Sequence, residues 1–134
     1  MADWQSTIEA LIRTTVVNDA TLNGLIQVRC YVGELAGLPA KDFPLVTFMI
    51  TSARGDLGEY SGTIRVWVWA RLQERAKTRV IYEALETALS HQRLFNAVFA
   101  VVPVSNGDMN TVYVSEDQLY RTTGTFRFSG IRLS

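Results

Sequence analysis

Residues 60–72 alternate polar and apolar side chains, and no other segment restricts the fold as tightly. Successive side chains of a strand point to opposite faces. Ile64, Val66, Val68 and Ala70 therefore share one face, and Thr63, Arg65, Trp67, Trp69 and Arg71 share the other. The aliphatic face must lie on a core. The second face sets two indoles among guanidiniums. Apolar surface is worth roughly 25 cal/mol per Å² when removed from water, so two solvated indoles would forgo much stabilisation. Such a face is either an ordinary solvated sheet surface, or one covered by a helix or loop of the same chain, or a contact with another molecule. Exposed apolar patches mark interaction surfaces, and Trp and Arg are enriched in binding hot spots. The favoured expectation is a subunit contact built from Arg65, Trp67, Trp69 and Arg71, with Thr47 and Met49 beside them. Thr125 and Arg127 join them if the last strand enters the sheet.

The opposite periodicity appears over 73–90, where Ala76, Val80, Ile81, Ala84, Leu85, Ala88 and Leu89 form one apolar stripe. Glu74, Lys77, Arg79, Glu83 and Glu86 line its other side, which is the pattern of an amphipathic helix lying on a core. A first helix is expected where Trp4, Ile8, Leu11 and Ile12 recur at helical spacing, followed by a helical turn that Asp19 caps. Strands are predicted over 27–32, 45–52, 98–104, 112–114 and 119–131, with an irregular connection over 33–43. Gly55-Asp56-Leu57-Gly58 reads as the loop of a hairpin. Strands that follow one another directly favour hairpin pairing. The class is α+β: one domain over 1–134, a mostly antiparallel sheet of four to six strands, and two helices packed on one face.

Composition narrows the function classes. Hydrophobic residues make up 48% of the 134, enough for a real core and too many for a disordered chain. Thirteen basic residues balance thirteen acidic ones, so the basic excess of a dedicated nucleic-acid binder is missing. A neutral chain also repels its own copies little. The N-terminus shows no secretory signal, and the longest apolar run, 97–104, is far short of a membrane span. A soluble protein made in a cytoplasm is expected.

Catalytic chemistry is sparse. The single cysteine, Cys30, stands in an apolar stretch and reads as a small buried hydrophobe. The single histidine, His91, falls where the second helix ends and suits the negative end of the helix dipole. A Cys30–His91 dyad lacks a third orienting group. A transition-metal site would rest almost wholly on carboxylates. Asp42, Asp56, Glu59, Asp108, Glu116 and Asp117 lie in or beside turns, where carboxylates usually serve turn geometry. The sequence contains no phosphate-binding loop, no glycine-flanked nucleophile serine and no His-Glu metal motif. No cofactor, no metal and no enzymatic activity are expected.

The order of elements nevertheless follows a pattern. Asp42-Phe43-Pro44-Leu45-Val46-Thr47-Phe48 enters a strand. A hairpin leads to Thr63-Ile64-Arg65-Val66-Trp67-Val68-Trp69, then an amphipathic helix, then a closing strand Gly124-Thr125-Phe126-Arg127-Phe128. From about Ile8 to Phe128 the chain resembles the tail terminator (tail completion, minor tail U-like) proteins of long-tailed bacteriophages. The turn over 106–110 and the strand after it depart from that pattern.

The resemblance implies a virion protein that assembles with itself as a ring, a hexamer in that family. Such a ring docks on the last ring of tail tube protein, stops tube growth and presents a surface to the head-tail connector proteins, while DNA passes through without specific binding. It implies no membrane and no catalytic residue. Loops matching 33–43 and 54–60 become docking elements by analogy, which points to Leu38, Lys41, Asp42, Arg54, Asp56, Leu57 and Glu59. The alternatives are another neck component, such as a head-completion or connector protein, and a small enzyme using Cys30, His91 or the loop carboxylates.

Overall fold

The structure is a computed structural model that describes residues 3–37 and 42–133. The elements in chain order are α1 (Asp3–Asn18), α2 (Ala20–Ile26), β1 (Cys30–Val32), β2 (Leu45–Asp56), β3 (Glu59–Arg71), α3 (Arg75–Leu89), β4 (Leu94–Phe95), β5 (Phe99–Ser105), β6 (Asn110–Val114) and β7 (Leu119–Arg132). Asp19 caps α2 as expected, its carboxylate accepting the Leu22 N–H at 3.0 Å. α3 ends at Ser90, whose N–H reaches the Glu86 carbonyl, and His91 turns the chain away with a left-handed φ of 64°.

The sheet is α+β in class but larger than expected, with seven strands in the order β1-β2-β3-β7-β5-β4 and β6 also paired to β7. It is mixed: the pairing is mostly antiparallel, as expected, with β1 lying parallel to β2. The connection over 33–43 is long enough to carry the chain back to the same end of the sheet, which a parallel pair requires. The hairpin between β2 and β3 is tighter than expected. Gly55 and Asp56 remain in the strand, and only Leu57 and Gly58 turn, at φ of 49° and 82°. Two consecutive positive φ values suit the right-handed twist of the flanking strands.

The helices lie together on one face. Ile8, Ile12 and Val16 of α1, Leu22 and Ile26 of α2, and Ile81, Tyr82, Leu85 and Leu89 of α3 are all buried. They meet Val46 and Phe48 of β2, Ile64, Val66 and Val68 of β3, Val101 of β5, and Phe126 and Phe128 of β7. Cys30 belongs to the same core, and burial pushes its thiol up to about 12 against the opposing charge of Arg13. Tyr82 reaches the sheet because position 124 is glycine. A side chain there would overlap its hydroxyl and its ring carbon Cζ.

β7 pairs with β3 along its whole length, while its other edge is shared. β5 takes residues 126–132 and β6 takes 119–123. The link between those two strands bridges the gap at Thr125. Asn106 N–H donates to the Thr125 carbonyl at 3.0 Å, and the Asp108 carboxylate accepts from the Thr125 N–H at 2.8 Å and its hydroxyl at 2.6 Å. Partial burial pushes the Asp108 carboxyl up. The two Thr125 bonds, with help from the Arg65 charge, outweigh that and hold it below the usual carboxylate value.

Candidate docking face

The side of the sheet turned away from the helices is where the sequence places its indoles, and it has two distinct ends. At the β1 end a second, smaller core forms. Leu35, Leu45, Trp69 and Leu119 are buried there, with Tyr31, Phe43, Trp67 and Val114 packed around them. The 3-10 turn Leu35–Gly37 and the β6–β7 hairpin supply the cover. The expectation of two exposed indoles is therefore corrected. Trp69 is only 7% exposed, and its indole N–H donates to the Thr47 hydroxyl at 3.1 Å. Thr47 is equally buried, so neither Trp69 nor Thr47 presents a surface to a neighbour. The reason is tertiary: Leu35, from the 3-10 turn after β1, and Leu119, from the start of β7, pack against the indole. The Arg121 guanidinium lies 5.8 Å from the Trp69 ring centre and the Arg71 guanidinium 5.2 Å from that of Phe43.

Trp67 sits at the margin of this cluster, half-buried, beside a shallow hollow lined by Glu34, Leu35, Ala36 and Asp117. Further along the same face Met49 is half-buried, while Arg65, Arg71 and Arg127 are exposed. Met49 stands directly across from Arg65, and Thr63 from Arg127. Arg127 donates to the Asn106 side-chain carbonyl at 3.0 Å. Thr125, by contrast, is taken up by Asp108 and contributes little surface.

The far end of the face is open. A groove of about 590 Å³ at the β2–β3 hairpin end is lined by Arg54, Asp56, Glu59, Ala100, Val102 and Ile131. Arg93 stands at its side. Leu57 caps the hairpin and is 96% exposed. The groove-side residues Val102 and Ile131 escaped sequence reasoning. For Val102 the only signal was the apolar character of both faces of its strand, which marks burial without saying against what; Ile131, at the end of a strand face that is mostly polar, gave none.

The expected docking residues do not form one site. Arg54, Asp56, Leu57 and Glu59 gather at the hairpin tip, all exposed. Asp42 is exposed before the opposite end of β2, roughly 35 Å away at 3.4 Å per residue of strand. Leu38 and Lys41 lie outside the described residues.

No catalytic arrangement assembles from the residues considered for one. Cys30 lies on β1 at one edge of the sheet, whereas His91 donates its backbone N–H to the Pro103 carbonyl of β5, with β2, β3 and β7 between. Among the described residues, no three His, Cys, Asp or Glu side chains gather as a metal site, and no helix is long and apolar enough to cross a membrane.

No protein-family model and no curated protein matches the chain. Its fold does have a solved counterpart, a chain of a structure described as "Virion of native gene transfer agent (GTA) particle". The two share 16% sequence identity and superpose with a TM-score of 0.71 over 92% of each chain. The fold is shared. Because the superposition takes in nearly all of both chains, the likeness extends beyond a common helix–strand fragment.

Proposed function

We propose that this chain is a structural subunit of a phage-like particle: a tail terminator that closes the tail tube as a ring and joins it to the head connector. The observation that carries the reading is the whole-length likeness to a virion chain, which agrees with the order of elements read from the sequence. The sheet face supports it. Trp67, Met49, Arg65 and Arg71 give a partly apolar, cationic surface suited to contact with a sibling subunit, flanked on the same face by the buried Trp69–Thr47 pair. The exposed hairpin tip, with Arg54, Asp56, Leu57 and Glu59, is a separate element for docking on tube or connector. Zero net charge suits a ring through which DNA slides without being gripped.

Light scattering and negative-stain imaging, on the protein alone and with purified tail tubes, test the proposal. Rings, or a ring-shaped cap on tube ends, are expected. A protein that stays monomeric at high concentration and ignores tail tubes would refute it. Deleting the gene separates a terminator from another neck component: overlong or unjoined tails are expected for the former, and heads that leak DNA would assign it to head completion.

A further inference from the structure

Among the strand edges of this sheet that have no partner strand among the described residues, two are similar in length and opposite in direction: the second half of β2 and the outer edge of β6. On β2, pairing with β1 stops at Phe48. The Glu9 carboxylate takes the Ile50 N–H at 3.3 Å, and beyond it residues 51–56 are all exposed. On the opposite flank the outer edge of β6, Asn110–Val114, pairs with nothing further.

Alternation of the ladder shows which groups are free. Val46 and Ile50 direct their N–H groups away from β3, so even-numbered residues face outward there. The bulge between Ile50 and Ser52 shifts the phase by one, which turns the amides of Ala53 and Gly55 outward. On β7, Thr125 directs its backbone toward the β5–β6 side, as do the odd-numbered residues before it. These bond Asn110, Val112 and Val114, which leaves Thr111 and Tyr113 facing out.

We infer that β6 of one copy adds to the free half of β2 in the next, continuing the sheet from subunit to subunit. The inference rests on the ring reading above and specifies its contact. β3 is antiparallel to β2, β7 to β3 and β6 to β7, so β6 of a like-oriented neighbour runs antiparallel to β2. The free half of β2 lies at the hairpin-tip end of the sheet and β6 at the other end. Joining them staggers neighbours by about half a strand, and stagger is what a closing sheet needs. Two different edges make a head-to-tail contact, which closes into a ring when the rotation permits. The acidic turn after β6, with exposed Glu116 and Asp117, then comes toward the middle of β2, where Arg65 projects beside Met49. An edge of Thr, Ser, Ala, Arg, Gly and Asp carries none of the proline or lysine that usually blunts a free strand.

Hydrogen exchange on the wild-type protein, free and assembled, reads the contact directly. The amides of Ala53, Gly55, Thr111 and Tyr113 are expected to slow by roughly tenfold or more on assembly. Ala53→Pro and Tyr113→Pro each remove one outward donor and leave the internal ladder intact. Each variant alone should fail to form rings, while an equimolar mixture should give a one-to-one dimer through the one intact pair of edges. Rings formed by Ala53→Pro, or wild-type rings with those amides unprotected, overturn the strand contact and leave the ring reading standing. Wild-type protein that never associates, alone or on tubes, overturns both.

Discussion

Replacing Trp69 with Ala should destabilise the isolated subunit by about 4 kcal/mol. The indole is almost wholly removed from water by Leu35, Leu45, Leu119 and their neighbours. A tryptophan buries roughly 150–250 Å², which at about 25 cal/mol per Å² corresponds to roughly 4–6 kcal/mol as an upper bound. Measured Trp→Ala losses of about 3–5 kcal/mol bracket the lower part of that range. The Thr47 hydroxyl is itself buried and would lose its bond to the indole N–H, adding to the loss. Urea unfolding followed by far-UV circular dichroism is the assay, at a concentration where the protein is monomeric, because self-association would add its own stability. With a slope near 2 kcal/mol per molar urea, the midpoint should fall by about 2 M. Trp67→Ala, at the half-buried margin, should cost about 1–2 kcal/mol and act chiefly on assembly. If Trp69→Ala lies within about 1 kcal/mol of wild type and matches Trp67→Ala, the small core is not formed and both indoles belong to a subunit contact instead.

Two further outcomes test the main core and the Thr125 clip. Gly124→Ala should destabilise by about 1–3 kcal/mol by driving a methyl group into Tyr82, whereas Tyr82→Phe, which removes a buried hydroxyl with no partner among the described residues, should leave the unfolding midpoint unchanged or raise it; a lowered midpoint for Tyr82→Phe would show the hydroxyl to be bonded. The Asp108 carboxyl is held below its unfolded value, so its stabilisation is present above the ordinary carboxylate range, about pH 4, and is lost as pH falls through the folded value. The gap between wild type and Asp108→Asn in urea midpoint should therefore close on acidification below about pH 4, and an equal gap at pH 2 and pH 7 would rule the clip out.

Much of the fold was legible because strong periodicity survives tertiary context. The alternating run 60–72 became β3 and the apolar stripe over 73–90 became α3, each within a few residues. β1 was only partly legible, since three residues pairing in parallel depend on where the chain returns rather than on their own composition. β4 was missed for the same reason, its two residues being strand only because β5 lies beside them. Of the candidate surface, Arg65, Arg71 and the hairpin tip lie exposed, because no element of the chain covers them, whereas Thr47 and Thr125 on the same face are buried.

What the sequence determined by itself is which side chains share a face, because a strand's two-residue period and a helix's 3.6-residue period are properties of the backbone alone. It placed Trp67 and Trp69 together, away from the helices. Whether they met water was decided only in three dimensions. Burial is a matter of what lies opposite, and what lies opposite Trp69 is Leu35 and Leu119, brought in from segments more than thirty residues away on either side. The free edges of β2 and β6 are likewise invisible in one dimension, since a strand carries the same outward amides whether or not a neighbour accepts them.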